Sequence, residues 1–262
     1  AAQVAITSGC NQAFAAAISA LCGEGDEVIV PVPWYFNHKM WLDMAGAKAV
    51  PLKCEGDMMP DPWDAAKLIT PRTRAIVLVT PNNPTGVEYP DDLVTAFYDI
   101  AKSRGIALIV DETYRDFHAC TGVPHSLFTR PDWDQTLIHL YSFSKAYRLT
   151  GHRVGAIATS PDRLAEIEKF LDTVTICPTQ VGQFAALDTA GSGRLLRLSA
   201  PSVRRQQRRS GPAAGARSGC ALPARHDVLS RGEYRRHLRA AHRLRESRRS
   251  RHRHTFCPPR GP

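Results

Sequence analysis

No two of the seven cysteines (Cys10, Cys22, Cys54, Cys120, Cys177, Cys220, Cys257) form a CxxC pair, so neither a zinc ribbon nor a small disulfide scaffold is indicated. No metal centre is read from the sequence. Scattered thiols fit a reducing compartment, and a cytoplasmic location is expected. No apolar run reaches membrane-spanning length, and Ala1 to Ser8 lacks the basic start and long apolar stretch of a signal peptide. There is no initiator methionine, and a motif begins by residue 9, so the chain is expected to start inside a longer protein. Lysine is missing beyond residue 193: residues 194–262 hold 19 arginines and three acids (Asp227, Glu233, Glu246). That segment carries +16 against +9 for all 262 residues, which leaves −7 on residues 1–193. The basic balance belongs to the tail and says nothing about what the first part binds.

Residues 1–193 alternate strand and helix signals. NQAFAAAISALC (11–22) has the alanine content and apolar spacing of a helix with one buried face. Its unpaired first amides and positive dipole end make its start an anion site. EVIVP (27–31) reads as a strand, and Trp34, Tyr35 and Phe36 open a helix that runs to about Ala45. AKAVPLK is a short strand, and Asp61 caps a helix over 61–69. RAIVLVT (74–80) and IALIVDETY are continuous apolar runs of the kind found in strands covered on both faces. PDDLVTAFYDIAKSRG (90–105) is a capped amphipathic helix between them, closed by a glycine. A strand ending at Ser142, the small-residue strand GAIAT, a helix capped by Ser160 and a helix over 179–190 complete the series. The expected fold is α/β, with a mostly parallel central sheet and helices on both faces.

Three places carry chemistry. Lys145, in SFSKAYRLTGHRVG (142–155), stands just past a strand end, where α/β enzymes place their reactive groups. A lysine whose surroundings free the neutral amine traps carbonyls. Arg153, eight residues on, offers a planar fork suited to phosphate. Asp111 closes an apolar strand, where a carboxylate is costly unless it meets a cation. PNNPTG (81–86) is a rigid turn that sets Asn82 and Asn83 at a strand's carboxyl end. Taken singly, each has a plain alternative: a surface lysine, a structural ion pair, an ordinary turn.

Taken in order, SGCNQA, PWY, PNNPTG, DETY and SFSK…GHRVG resemble the class I/II pyridoxal-phosphate aminotransferases of fold type I, over about residues 3–190. The resemblance implies that Lys145 forms the internal aldimine with pyridoxal 5'-phosphate and shuttles the substrate proton. It implies that Asp111 pairs with the pyridinium nitrogen, and that Asn83 and Tyr114 donate to the phenolic oxygen. Tyr35 looks like the residue stacked on the ring, Ser142 and Arg153 match phosphate ligands, and Gly9, Cys10 and Asn11 occupy the backbone cradle at the helix start. The implied reaction moves an amino group from an amino acid to a 2-oxo acid, in a homodimer that completes its sites across the subunit interface. The same motifs fit a carbon–sulfur lyase of the β-cystathionase type, since they define the cofactor and not the fate of the carbanion.

The family's substrate-binding segment before the first block, and its later small domain with a carboxylate-gripping arginine, have no match here. Residues 1–193 are therefore expected to be an N-terminally truncated cofactor-binding large domain. Residues 194–262 hold too few large apolar groups to offset ordering entropy and are expected to be disordered. Their Arg, Ala, Pro and Gly share GC-rich codons, which points to a shifted reading frame. The alternative is an inactive fragment with a nucleic-acid-binding arm over 235–254, disfavoured because that stretch lacks interleaved aromatics.

Overall fold

The structure, a computed structural model, describes residues 2–119 and 122–190, without the side chains of 188–190. The expectations for residues 194–262, including the arm at 235–254, lie outside the described residues.

Seven strands form one sheet: β1 (Val4–Thr7), β2 (Glu27–Val32), β3 (Lys48–Lys53), β4 (Thr73–Val79), β5 (Ala107–Asp111), β6 (Leu137–Ser142) and β7 (Gly155–Ala158). Their spatial order is β1-β7-β6-β5-β4-β2-β3. β7 runs antiparallel to both of its neighbours, and every other pair is parallel. The helices are α1 (Cys10–Leu21), α2 (Phe36–Met44), α3 (Pro62–Leu68), α4 (Asp91–Ser103), α5 (Phe143–Ala146), α6 (Pro161–Val174) and α7 (Gln180–Ala190).

The apolar strands hide two alternating patterns. Val28, Ala75, Val77, Ala107, Ile109, Ile138 and Leu140 face one core, closed by Phe14 and Ile18 of α1, Leu42 of α2 and Ile167 of α6. Their neighbours Ile29, Ile76, Leu78, Leu108, Val110 and Leu137 face a second core, closed by Ala65 of α3 and Val94, Phe97 and Tyr98 of α4. Period-two side chains thus cover both faces, and each fully buried Leu, Ile or Val contributes about 1.5–3 kcal/mol. Local signals agree with the layers. Asp61 accepts from the amides of Trp63 and Asp64 at the start of α3, and Ser160 accepts from the Arg163 amide at the start of α6.

Two features add detail to the sequence reading. After Ser142 the chain makes a single helical turn, α5, because the Ser142 side chain accepts from the Ser144 amide at 3.2 Å and starts it. The small-residue strand expected at GAIAT is β7, which runs antiparallel to its neighbours. A Cβ at Gly155 would stand 2.6 Å from the Gly9 carbonyl carbon and 2.7 Å from the Cys10 nitrogen, so β7 packs against the β1–α1 turn backbone to backbone. Among the described residues no helix is long and apolar enough to cross a membrane, and no cluster of histidine, cysteine and acids is arranged to hold a metal ion.

Candidate active site

Parallel strands all deliver their next loop to one edge of the sheet, and the candidate residues follow from that topology. β1 leads to Gly9 and Cys10, β2 to Tyr35, β4 to Asn83, β5 ends on Asp111 ahead of Tyr114, and β6 ends on Ser142 ahead of Lys145. Arg153 lies two residues before the start of β7, in a left-handed conformation (φ 51).

Three groupings form there. At the amino end of α1, the Arg153 guanidinium lies over Gly9: a Cβ at Gly9 would be 2.2 Å from Nη2. Gly9 also sits at φ +87, so only glycine fits both the backbone and the guanidinium. Arg153 Nη1 donates to the Thr150 carbonyl at 3.1 Å and lies 3.5 Å from Ser144 Oγ. The first turn of α1 has no acid and no side-chain cap, leaving its amides free to meet an anion beside Arg153.

The second grouping surrounds Asp111. Its carboxylate is buried, with Oδ2 3.1 Å from His38 Nε2 and Oδ1 accepting from the Thr113 amide (2.9 Å) and hydroxyl (2.7 Å). Burial works against ionisation, but the His38 hydrogen bond and charge and the Thr113 donors outweigh it, holding Asp111 below the usual carboxylate range. His38 is itself fixed by stacking on Phe14, ring centroids 3.8 Å apart. The half-buried Tyr35 ring stands edge-on to His38 at 5.0 Å, and its hydroxyl accepts from Asn37 Nδ2 at 2.7 Å. Burial pushes the Tyr35 phenol up, Asn37 pulls it down, and the Asp111 charge adds to the rise. The Cys10 thiol is pushed well up by burial first and then by the Asp111 charge.

In the third grouping, Lys145 Nζ lies 5.8 Å from the Tyr114 ring centroid. Asn83 is half-buried at the end of β4 and has no hydrogen bond among the described residues. Its neighbour Asn82 is the buried structural one: its Oδ1 accepts from the Thr85 amide and hydroxyl, and its Nδ2 donates to the Tyr89 hydroxyl.

Three details of the candidates come from the structure alone. The Lys145 side chain is exposed in the single chain. The Cys10 side chain points inward to Asp111 and Thr113, leaving only its backbone for the cradle. Asn11 is exposed, and no direct bond joins it or Asn83 to the other candidates. Sequence reasoning missed His38 and Thr113. The available signals were spacings: His38 is one helical turn past Tyr35, and Thr113 is two residues past Asp111 with a hydroxyl.

A separate hollow of about 450 Å³ opens at the opposite, amino-terminal edge of the strands, lined by Arg74, Arg104 and Arg163 among others. No candidate residue lines it. Arg163 donates to the carbonyls of Asp134 (3.1 Å) and Gln135 (2.5 Å), and Arg74 pairs with Asp26 at 3.0 Å, so two of the three cations there already hold the sheet edge together.

One strand edge of this α/β fold gathers one lysine, one buried carboxylate and, at a helix start, uncapped amides beside an arginine. The chain belongs to the aminotransferase class I and II family, whose model matches residues 1–209. It is 31% identical over 195 residues to a bifunctional aspartate aminotransferase and glutamate/aspartate-prephenate aminotransferase of Petunia hybrida, covering 73% of this chain and 40% of that one. It is 32% identical over 193 residues to the glutamate-pyruvate aminotransferase AlaA of Escherichia coli K12, covering 71% and 47%. The aspartate aminotransferase of Thermus thermophilus with maleate superposes at a TM-score of 0.69, with 27% identity, over 79% of this chain and 54% of that one. The chain spans about half or less of the curated relatives it matches, from 40% to 49% of their length.

Proposed function

We propose that the chain is the cofactor-binding part of a pyridoxal-phosphate-dependent aminotransferase, which moves an amino group from an amino acid to a 2-oxo acid. The observation that carries this is the Arg153 guanidinium lying over Gly9 at the uncapped start of α1, on the same strand edge as Asp111 and Lys145. A dianionic phosphate would be held by Arg153, the serine hydroxyls at 142 and 144 and the amides of Gly9, Cys10 and Asn11. Asp111 would meet the ring nitrogen, Asn83 and Tyr114 the phenolic oxygen, Tyr35 the ring face and Lys145 the carbonyl carbon. The donor set matches that group type for type, and the Gly9 and Gly155 positions have no room for a side chain that would fill the cradle.

When bound, pyridoxal phosphate supplies an electron sink that weakens the Cα–H bond of an attached amino acid. Asp111, kept ionised by His38 and Thr113, would place a fixed negative charge beside the ring nitrogen. Lys145 Nζ is the base that takes the Cα proton, which requires its neutral form. Arg153 and the α1 amides would hold the phosphate and so fix the group's position against Lys145. Because Lys145 and Arg153 are exposed in one chain, a homodimer in which a second copy closes this face belongs to the same proposal. So does a cytoplasmic location, supported by free thiols at Cys10, Cys22, Cys54 and Cys177.

The test is covalent labelling. Incubation with pyridoxal phosphate is expected to give a visible absorption band, and borohydride reduction to fix the label on the peptide containing Lys145. Lys145→Ala should abolish the label yet keep weaker, non-covalent uptake. A label on Lys169, unaffected by Lys145→Ala, would end the assignment. Amine transfer from aspartate, glutamate, alanine and aromatic donors then reads the substrate side chain.

A further inference from the structure

Glu112 follows Asp111 in the chain, and it is also buried, at 0% exposure. Alternation turns it to the other face of the sheet, away from α1 and α2. There its Oε2 meets Arg115 Nη1 at 2.6 Å and His139 Nε2, from β6, at 2.7 Å. His125 Nε2 stands 3.5 Å from Oε1. His125 Nδ1 accepts from the Leu127 amide at 3.4 Å, and its Nε2 faces Oε1 without a hydrogen bond between them. Phe128 packs against the two imidazoles, with centroids 5.6 and 5.2 Å away.

A buried ion cluster seldom adds stability over apolar packing of the same volume, but it is directional. The direction here is informative. The two residues between Glu112 and Arg115 are Thr113, which donates twice to Asp111, and Tyr114, the nearest ring to Lys145 Nζ. Both ends of that dipeptide are tied to Glu112: the Arg115 amide donates to the Glu112 carbonyl at 2.9 Å, and the Arg115 guanidinium returns to the Glu112 carboxylate. The Glu112 amide in turn donates to Leu140 of β6 at 2.9 Å. Tyr114 is only half-buried, so its position depends on the turn that carries it.

We infer that Glu112 is a positioning residue: with Arg115, His139 and His125 it forms a latch behind the sheet that fixes the Thr113–Tyr114 step and so aims two donors into the site. This rests on the reading of the site given above, and the test has one arm independent of it. In the full chain without cofactor, Glu112→Gln is expected to speed amide hydrogen exchange over residues 113–117 by about tenfold or more, with residues 107–110 and α1 changing by less than about twofold. With pyridoxal phosphate bound, the pH midpoint of the visible band should rise, because a less firmly held Tyr114 donates less well to the phenolate. Should Glu112→Gln fail to fold, Arg115→Met leaves the carboxylate its histidine partners and must show the same local exchange. Unchanged exchange over 113–117, or a uniform rise along the chain, overturns the latch. If the wild-type chain takes up no pyridoxal phosphate, the functional reading falls, while the exchange arm still decides the latch.

Discussion

At the end of β5 two adjacent carboxylates are buried on opposite faces of one sheet, and their partners differ in kind. Glu112 has a permanent cation, Arg115, at 2.6 Å, and burial, although the largest influence on it, is outweighed by partners including His125 and His139, which hold it well below the usual carboxylate range. Asp111 has His38 and Thr113 but no lysine or arginine bonded to it among the described residues. A buried carboxylate with a resident arginine is already neutralised as a pair. One whose partners are an imidazole and a hydroxyl has no permanent cation bonded to it. In the proposed function, the carboxylate without a resident arginine is the one that would meet a ligand's cation.

Asp111→Asn is expected to have the largest chemical effect. In a single-turnover experiment with bound pyridoxal phosphate, the spectral change on adding an amino acid should slow by about 10²–10³-fold, the size of effect found when one preorganised electrostatic group is removed. The borohydride label on Lys145 should persist. Glu112→Gln should slow the same step far less while costing more stability, since it leaves Arg115 with an uncharged partner. Equal slowing by both variants would erase the distinction between the two faces.

Much of this was legible in the sequence, and what was not has a physical reason. RAIVLVT and IALIVDETY announced strands covered on both faces, and the structure divides their side chains between two cores. The placement of Lys145 and Asp111 at strand ends on one sheet edge was legible, because the apolar runs before them mark those strands. His38 was not, because its partner lies 73 positions away in the chain, and only packing on Phe14 aims its ring at Asp111. Likewise Glu112 was visible as a strand-end acid, but His125 and His139 reach it from a loop and from β6. The exposure of Lys145 was illegible too, since desolvation belongs to whatever surrounds a residue and not to its local string.

The two faces also differ in acid, which gives a mid-sized effect. Burial is the first cause that pushes His139 below its ordinary value of 6.5, with Glu112 opposing it. From about pH 6.5 downward the unfolded chain takes up a proton that folded His139 refuses, so stability falls as pH drops toward the lowered folded value. The slope is up to about 1.4 kcal/mol per pH unit for one proton. Glu112 and Asp111, whose folded values are depressed, stabilise above their ordinary values of 4.5 and 3.8 and lose that contribution only below them. The first acid loss should therefore come from the Glu112 face. Urea midpoints between pH 7 and 5 should fall in the wild type and stay flatter in His139→Gln, whose amide still donates to the carboxylate. Parallel pH curves for the two proteins would place the loss elsewhere.

Thr113→Val should give the smallest effect, and it isolates what holds Asp111. The substitution keeps the volume and the backbone amide bond at 2.9 Å but deletes the hydroxyl that donates at 2.7 Å. A hydrogen bond to a buried charged group is worth about 1.5–3 kcal/mol, and His38 remains to keep part of that stabilisation. Asp111 should then ionise less readily and hold a bound ring nitrogen's proton less firmly. The pH dependence of the visible band should shift, and affinity for pyridoxal phosphate should weaken by about tenfold, within the range of one such bond. Labelling of Lys145 should be unchanged, and so should exchange over residues 113–117, because the Glu112–Arg115 tie is untouched. A variant that instead loosened this turn as Glu112→Gln is expected to do would show that the Thr113 hydroxyl, and not the buried ion pair behind it, sets the position of Tyr114.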